Sequence, residues 1–141
     1  MSQAFNLDDF LPYALNQAAV AVSDDFAKDY KSKYGLLRTE WRVLAHLGTS
    51  GPMTARQICD ASKTHKTKIS RAVFALEKRL WLSRSRNPND RRQETLALTK
   101  RGEKAYVKLT GDAQEKTQRL REALGDDDYK ALIKTLRILT G

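Results

Sequence analysis

Apolar side chains recur at spacings of three and four over residues 9–33, which predicts a long amphipathic first helix. The helix is predicted to end at Gly35, because glycine is common directly after a helix. Thr39 is the predicted N-cap of a second helix, which the stretch GTSGP at 48–52 ends. The apolar positions that carry these two helices are Leu15, Ala18, Ala19, Val22, Phe26, Tyr30, Trp41, Leu44, Ala45 and Leu47.

The middle of the chain has the pattern of a helix-turn-helix. Thr54 and Gln57 have capping-box spacing, which predicts a short third helix over about 55–61. After a tight turn, THKTKISRAVFALEKRL predicts a fourth helix. Its seam is Ile69, Val73, Leu76 and Leu80, and its opposite side carries Thr64, Thr67, Lys68, Arg71, Ala75 and Lys78. Hydroxyl and basic groups in front of an apolar seam suit DNA, although a solvated surface helix has the same pattern.

A hairpin is predicted next, because LSRSR and QETLALT alternate polar with apolar or small residues around the turn-forming NPND. Thr99 is the predicted N-cap of a fifth helix over about 100–124, with Ala105, Leu109, Ala113 and Leu120 along one side. After Gly125, three acidic residues at 126–128 open a last helix.

The last helix is rich in apolar residues for a short element: Leu132, Ile133, Leu136, Ile138 and Leu139. A single subunit would not cover this surface, so we expect the protein to pair with a second copy of itself.

The distribution of charge along the chain indicates a class of binding partner. The net charge is +9, and residues 52–104 alone hold 14 basic and 5 acidic side chains. A basic excess confined to one segment favours a face that binds a polyanion, with a merely solubilising surface as the alternative. A length of 141 residues predicts one domain.

Several other classes of function lack support in the sequence. No apolar run approaches the roughly 18 residues of a membrane helix, and the acidic start MSQAFNLDDF does not resemble a secretory signal, so we expect a cytoplasmic protein. There is no phosphate loop or catalytic motif, and the spacing of His46, Cys59 and His65 matches no standard zinc pattern. We therefore expect no enzymatic activity, cofactor or metal. His46 is most simply a packed helix residue.

The order of elements and the motif resemble the MarR (multiple-antibiotic-resistance regulator) family of bacterial transcription factors. ISRAVFALEKR is similar to the family's recognition helix and WLSRSRNPNDRRQETLALTKRG to its wing. The resemblance implies a mainly α fold with a small β-wing, namely a winged helix-turn-helix flanked by dimerisation helices. Residues 36–100 would form the DNA-binding lobe, and 1–35 with 101–141 the dimerisation part. One departure is Leu80, which stands where the family usually has a glycine. Either the fourth helix ends differently here, or Leu80 packs enough apolar surface to offset the cost of glycine's left-handed conformation.

The resemblance also implies how DNA is bound: a homodimer on a pseudo-palindromic operator of double-stranded DNA, with half-sites about 10 base pairs apart. Arg92 is expected in the minor groove, while minor groove, phosphate and solvent all remain open for Arg91. Asp90 would brace the wing by pairing with an arginine. The expected major-groove residues are Thr64, Thr67, Lys68 and Arg71, and the expected phosphate ligands are Lys63, Lys66, Arg84 and Arg86.

Many members of the family respond to small aromatic or phenolic anions bound where the dimerisation helices meet the DNA-binding lobe. Such an effector could use Tyr13, Asn16, Trp41, Arg42 and His46, although each of these also suits an ordinary core or surface position. The expected function is a dimeric sequence-specific regulator, acting as a repressor that a small ligand relieves. The alternative is a nonspecific architectural DNA-binding protein, which would need no preferred half-site spacing.

Overall fold

The computed structural model describes residues 4–141, and of Asn87 and Arg91 it describes the backbone alone. A short 3-10 turn, Leu7–Asp9, precedes the first helix. The helices are α1 Leu11–Tyr34, α2 Arg38–Ser50, α3 Ala55–Ser62, α4 Lys66–Lys78, α5 Lys100–Leu124 and α6 Asp126–Thr140, and the strands are β1 Met53–Thr54, β2 Leu82–Asn87 and β3 Asp90–Leu98. The predicted mainly helical fold with a small wing is confirmed.

The core lies beneath the helix-turn-helix, where α2, α3, α4 and the base of the hairpin meet. Burying each leucine or isoleucine completely contributes about 1.5–3 kcal/mol. The predicted seam of α4 is buried as far as Leu76. The buried apolar side chains of this lobe are Leu36, Val43, Leu44, Leu47, Ile58, Ile69, Ala72, Val73, Leu76, Leu82 and Leu96.

Helix α5 packs against α2 through a close approach at Gly48. A Cβ atom on Gly48 would lie 2.2 Å from the ring of Tyr106, so only glycine fits there. The Tyr106 hydroxyl is also 2.9 Å from Oγ1 of Thr49. The N-terminal half of the long helix α5 is thereby attached to α2.

Two sequence predictions are wrong, one about where a helix begins and one about the number of strands. Thr39 is not the N-cap of α2, because the helix begins at Arg38 and its N-cap is Leu37. The wing is not a two-stranded hairpin alone, since β1 pairs antiparallel with β3 and the strand order is β1-β3-β2.

The register of the hairpin shifts near its tip. Arg86 pairs with Glu94, but the next residue of β2 pairs with Asp90, so residues 91–93 bulge from the ladder. Strand β3 begins at Asp90, three residues before Gln93, where the sequence predicted its start. Bulges bend a strand and redirect its side chains. The two arginines of the wing thus lie on a bulged segment.

Much of the apolar surface outside the lobe is exposed in the single subunit. The predicted face of α1 is buried only at its C-terminal end, around Tyr30 and Ala27. No residue of α6 is buried. No helix within residues 4–141 is long and apolar enough to span a membrane.

Candidate nucleic-acid interface

The helix-turn-helix begins with the predicted capping box. The Thr54 hydroxyl accepts the backbone N–H of Gln57 at 3.1 Å, and the Gln57 side chain accepts the backbone N–H of Thr54 at 2.9 Å. Such a cap stabilises a helix by about 1 kcal/mol. The turn that follows contains Lys63 in the left-handed region, at φ 51°.

Helix α4, the predicted recognition helix, begins at Lys66, two residues later than the predicted Thr64. Its N-cap is His65, whose Nδ1 accepts the backbone N–H of Thr67 at 3.2 Å. Thr64 is half-buried in the turn, and its hydroxyl donates to the Ser62 carbonyl at 3.2 Å. This internal bond competes with the base contact expected of Thr64.

The outward side of α4 carries the other expected major-groove residues. Thr67, Lys68 and Arg71 are all exposed. The sequence analysis missed Phe74, which is 55% exposed and lies under the Lys78 ammonium, 5.3 Å from the ring centroid. Phe74 lies three residues after Arg71, and this spacing predicts that both side chains share the outward face of α4. An exposed phenylalanine on such a face can contact a thymine methyl group.

At the end of α4, neither alternative stated for Leu80 is correct. Leu80 adopts the left-handed conformation of a glycine, at φ 64°, and its side chain is 60% exposed. Its N–H donates to the Glu77 carbonyl at 2.9 Å, and that of Trp81 donates to the Leu76 carbonyl at 3.0 Å. These two bonds form a Schellman motif. The helix therefore ends as it would with glycine, and Leu80 does not complete the apolar seam.

The same junction is fixed to the start of α5. The Thr99 hydroxyl donates to the Leu80 carbonyl, and the Thr99 N–H donates to the Trp81 carbonyl at 3.0 Å. A Cβ on Gly102 would lie 2.1 Å from that Trp81 carbonyl oxygen, so the close approach requires glycine. The segment between α4 and the wing is consequently held against the start of α5.

Arg84 connects the recognition helix to both strands of the wing. Its Nε lies 3.0 Å from a Glu77 carboxylate oxygen and its Nη1 lies 3.0 Å from one of Glu94. The hydrogen bond to Glu94, followed by the attraction of Glu77, raises the pKa of Arg84. Because two of its nitrogens already face carboxylates, phosphate contact by Arg84 would compete with this bridge.

The tip of the wing combines an exposed arginine with a backbone brace. Arg92 is exposed, and its N–H donates to Oδ1 of Asp90 at 3.0 Å. Among the described side chains, Asp90 forms no ion pair with an arginine, so its brace here acts on the backbone. The side chain of Arg91 lies outside the described residues. Arg92 and Arg56 line a groove of about 470 Å³ between α3, α4 and the wing.

Three of the four expected phosphate ligands, Lys63, Lys66 and Arg86, are exposed and do not line this groove. Lys63 and Lys66 are exposed at the start of α4. Arg86 is exposed on β2, and its Nε is 3.9 Å from a Glu94 oxygen, which is a weak ion pair. These three side chains can turn toward a polyanion at little cost.

A MarR family sequence profile matches residues 34–93, the segment that contains the helix-turn-helix and most of the wing. Over this segment the chain is similar to the MarR family.

Similar proteins point to the same family. YwoH, an uncharacterised helix-turn-helix type transcriptional regulator of Bacillus subtilis (strain 168), is 28% identical over 128 residues, covering 91% of this chain and 92% of YwoH. The structure of the MarR family regulator SPO1453 from Silicibacter pomeroyi DSS-3 is 26% identical, with a TM-score of 0.82 over 98% of this chain and 100% of that chain.

A third comparison shows the fold alone. Bordetella bronchiseptica BpsR, whose DNA binding is regulated by 6-hydroxynicotinic acid, is 20% identical, with a TM-score of 0.86 over 98% of both chains. The similarity to MarR regulators and the basic interface together support a DNA-binding transcriptional regulator. The relatives are regulators rather than enzymes, in agreement with the expectation of no catalytic activity.

The protein has a cavity of about 540 Å³ between α1, α2 and α5. Of the five residues predicted for an effector pocket, only Trp41 lines it. Tyr13 is half-buried and Asn16 exposed on α1, while Arg42 is exposed and His46 half-buried on α2. Those four residues therefore do not join Trp41 around the cavity of the single subunit. Phe26 from α1 joins Trp41 instead, with ring centroids 5.0 Å apart.

No group of three or more His, Cys, Asp or Glu side chains that could hold a metal ion occurs within the described part of the chain. Cys59 is half-buried on α3.

Proposed function

We propose that this protein is a homodimeric, operator-specific repressor that acts in the cytoplasm and that a small aromatic molecule releases from DNA. The observation that carries the proposal is the joint placement of an exposed basic helix face and an exposed wing arginine in one lobe, 36–100. Thr67, Lys68 and Arg71 are the proposed base-edge contacts, and Arg92 is the proposed minor-groove contact.

The proposed dimer uses the apolar surface that the single subunit leaves exposed at both chain ends. Ile138 of α6 is 71% exposed, and Phe5 near the N-terminus is 73% exposed. Large apolar side chains at this exposure favour a symmetric subunit contact. Two α4 helices related by a two-fold axis would then enter successive major grooves, with half-sites about 10 base pairs apart.

The proposed effector site is the cavity between α1, α2 and α5. It touches both the dimerisation helices and α2, which packs directly behind α4. BpsR offers a precedent for regulation of DNA binding by a small hydroxylated aromatic acid. An effector of this kind releases DNA only if it binds the DNA-incompetent arrangement more tightly than the competent one.

The DNA half of the proposal is tested by titrating operator DNA with an Arg92→Ala variant at physiological salt. Loss of a minor-groove arginine is expected to weaken binding by about 1–3 kcal/mol. Arg119→Ala is the matched control, because Arg119 is exposed on α5 and outside the DNA-binding lobe. Asp90→Ala is expected to loosen the bulged tip and weaken binding as well. Unchanged affinity in both wing variants would refute the wing assignment.

A further inference from the structure

The cavity between α1, α2 and α5 has an unusual charge arrangement. Its charged lining residues, among the side chains the structure describes, are Asp25 and Lys116. The Lys116 ammonium lies 3.4 Å from a carboxylate oxygen of Asp25 and 3.4 Å from one of Asp29. It also donates to the backbone carbonyl of Asp25. Two carboxylates therefore face one ammonium.

These contacts engage the lysine through one hydrogen bond, to the Asp25 carbonyl, and two ion pairs, to the Asp25 and Asp29 carboxylates. An ammonium group has three N–H donors, and three acceptors of α1 surround this one. A carboxylate ligand would have to displace one of them, and it would meet the excess negative charge of Asp25 and Asp29. The ammonium is thus a poor anchor for an anion.

The apolar wall of the cavity favours the opposite charge. Phe26 and Trp41 meet edge to face, with an interplanar angle of 68°, and Trp41 also stacks on Tyr30 with centroids 6.1 Å apart. Aromatic faces carry partial negative charge and attract organic cations, tryptophan most strongly. A volume of about 540 Å³ is in the range of small-molecule sites.

We propose that the effector cavity selects an organic cation whose apolar body packs against the Phe26 and Trp41 side chains that line the cavity and whose charge lies near the carboxylate of Asp25. This inference rests on the proposed effector site and specifies the charge of its ligand. It departs from the aromatic anion that the family resemblance implies.

The test is calorimetric titration of the full-length protein with three probes of similar shape: benzyltrimethylammonium, benzyl alcohol and benzoate. Benzyltrimethylammonium is expected to bind most tightly and benzoate most weakly. Asp25→Asn is expected to weaken the cation by about threefold, the size of an exposed charge interaction. Trp41→Leu should weaken it by about tenfold, the loss of one cation–π face.

Asp24→Asn is the matched control, since Asp24 precedes Asp25 in the sequence but pairs with Arg38 and does not line the cavity. It should leave the affinity for the cation unchanged. Tighter binding of benzoate, equal affinity in Asp25→Asn and the parent protein, or no binding of the cation would each overturn the inference. Titration of the parent protein with operator DNA, without any probe, separates a failure of this inference from a failure of the proposed function. If the protein binds its operator but not the cation, only the inference about the ligand is refuted.

Discussion

Leu80 occupies a backbone conformation that normally belongs to glycine, and substitution should reveal its cost. The residue ends α4 at φ 64° and is 60% exposed. We compare Leu80→Ala with Leu80→Gly, because both remove the same partial packing and only glycine removes the steric penalty. The difference between their free energies of unfolding therefore reports the cost of the left-handed backbone conformation.

The magnitude follows from two opposing effects. A left-handed conformation costs a residue with a Cβ about 1–2 kcal/mol. Glycine is freer in the unfolded chain, which costs about 0.4–1 kcal/mol of stability. Leu80→Gly is therefore expected to be more stable than Leu80→Ala by about 0.8 kcal/mol, the difference between the midpoints of these ranges. At an ordinary helical position the order is reversed by about 1 kcal/mol.

The assay is urea unfolding of both variants at one protein concentration, because dimer dissociation would otherwise contribute. Glu115→Ala and Glu115→Gly form the control pair, since Glu115 is exposed within α5. There the alanine variant should be the more stable. If alanine were also the more stable at position 80, Leu80 would not hold the left-handed conformation in solution.

Three further predictions concern the wing, the dimer and acid stability. The bridge between Glu77 and Arg84, 3.0 Å long and about a third exposed, should give a coupling of about 0.2–1 kcal/mol in a double-mutant unfolding cycle, and a coupling of zero would contradict it. Ile138→Asp should convert the dimer to monomer in analytical ultracentrifugation, and an unchanged dimer would place the interface elsewhere. Hydrogen bonds from Arg121 and Lys130 lower the pKa of Asp126, so its stabilising effect is present near neutral pH and disappears as the pH falls through the lowered pKa. The difference in urea midpoint between the parent and Asp126→Asn should accordingly shrink in acid, and a difference independent of pH would refute this.

The elements that the sequence predicted well are those set by contacts within one helical turn. The capping box of Thr54 and Gln57 and the N-cap at Thr99 involve residues three positions apart, and both are present. The bounds of α5 were correspondingly accurate. Thr39 misled because threonine is a good N-cap by type, but the backbone enters α2 at Leu37.

The features that the sequence did not predict depend on partners far along the chain. Strand β1 has only two residues and is defined by pairing with Thr95 and Leu96. Arg84 was expected to contact phosphate. Its bridge to Glu77 and Glu94 was not predicted, because the bridge forms only when the wing folds against α4. The pairing of Lys116 with Asp25 spans 91 residues, so the charge of the cavity was not visible in the local pattern.

The central claim is that this protein recognises a defined operator as a dimer, and selection from a random pool of duplex DNA tests it most directly. The account predicts recovery of a pseudo-palindrome with half-sites about 10 base pairs apart, bound more tightly than random duplex by about 10³-fold or more at physiological salt. Equal, strongly salt-dependent binding to every duplex in the pool would contradict it and would indicate a nonspecific architectural DNA-binding protein.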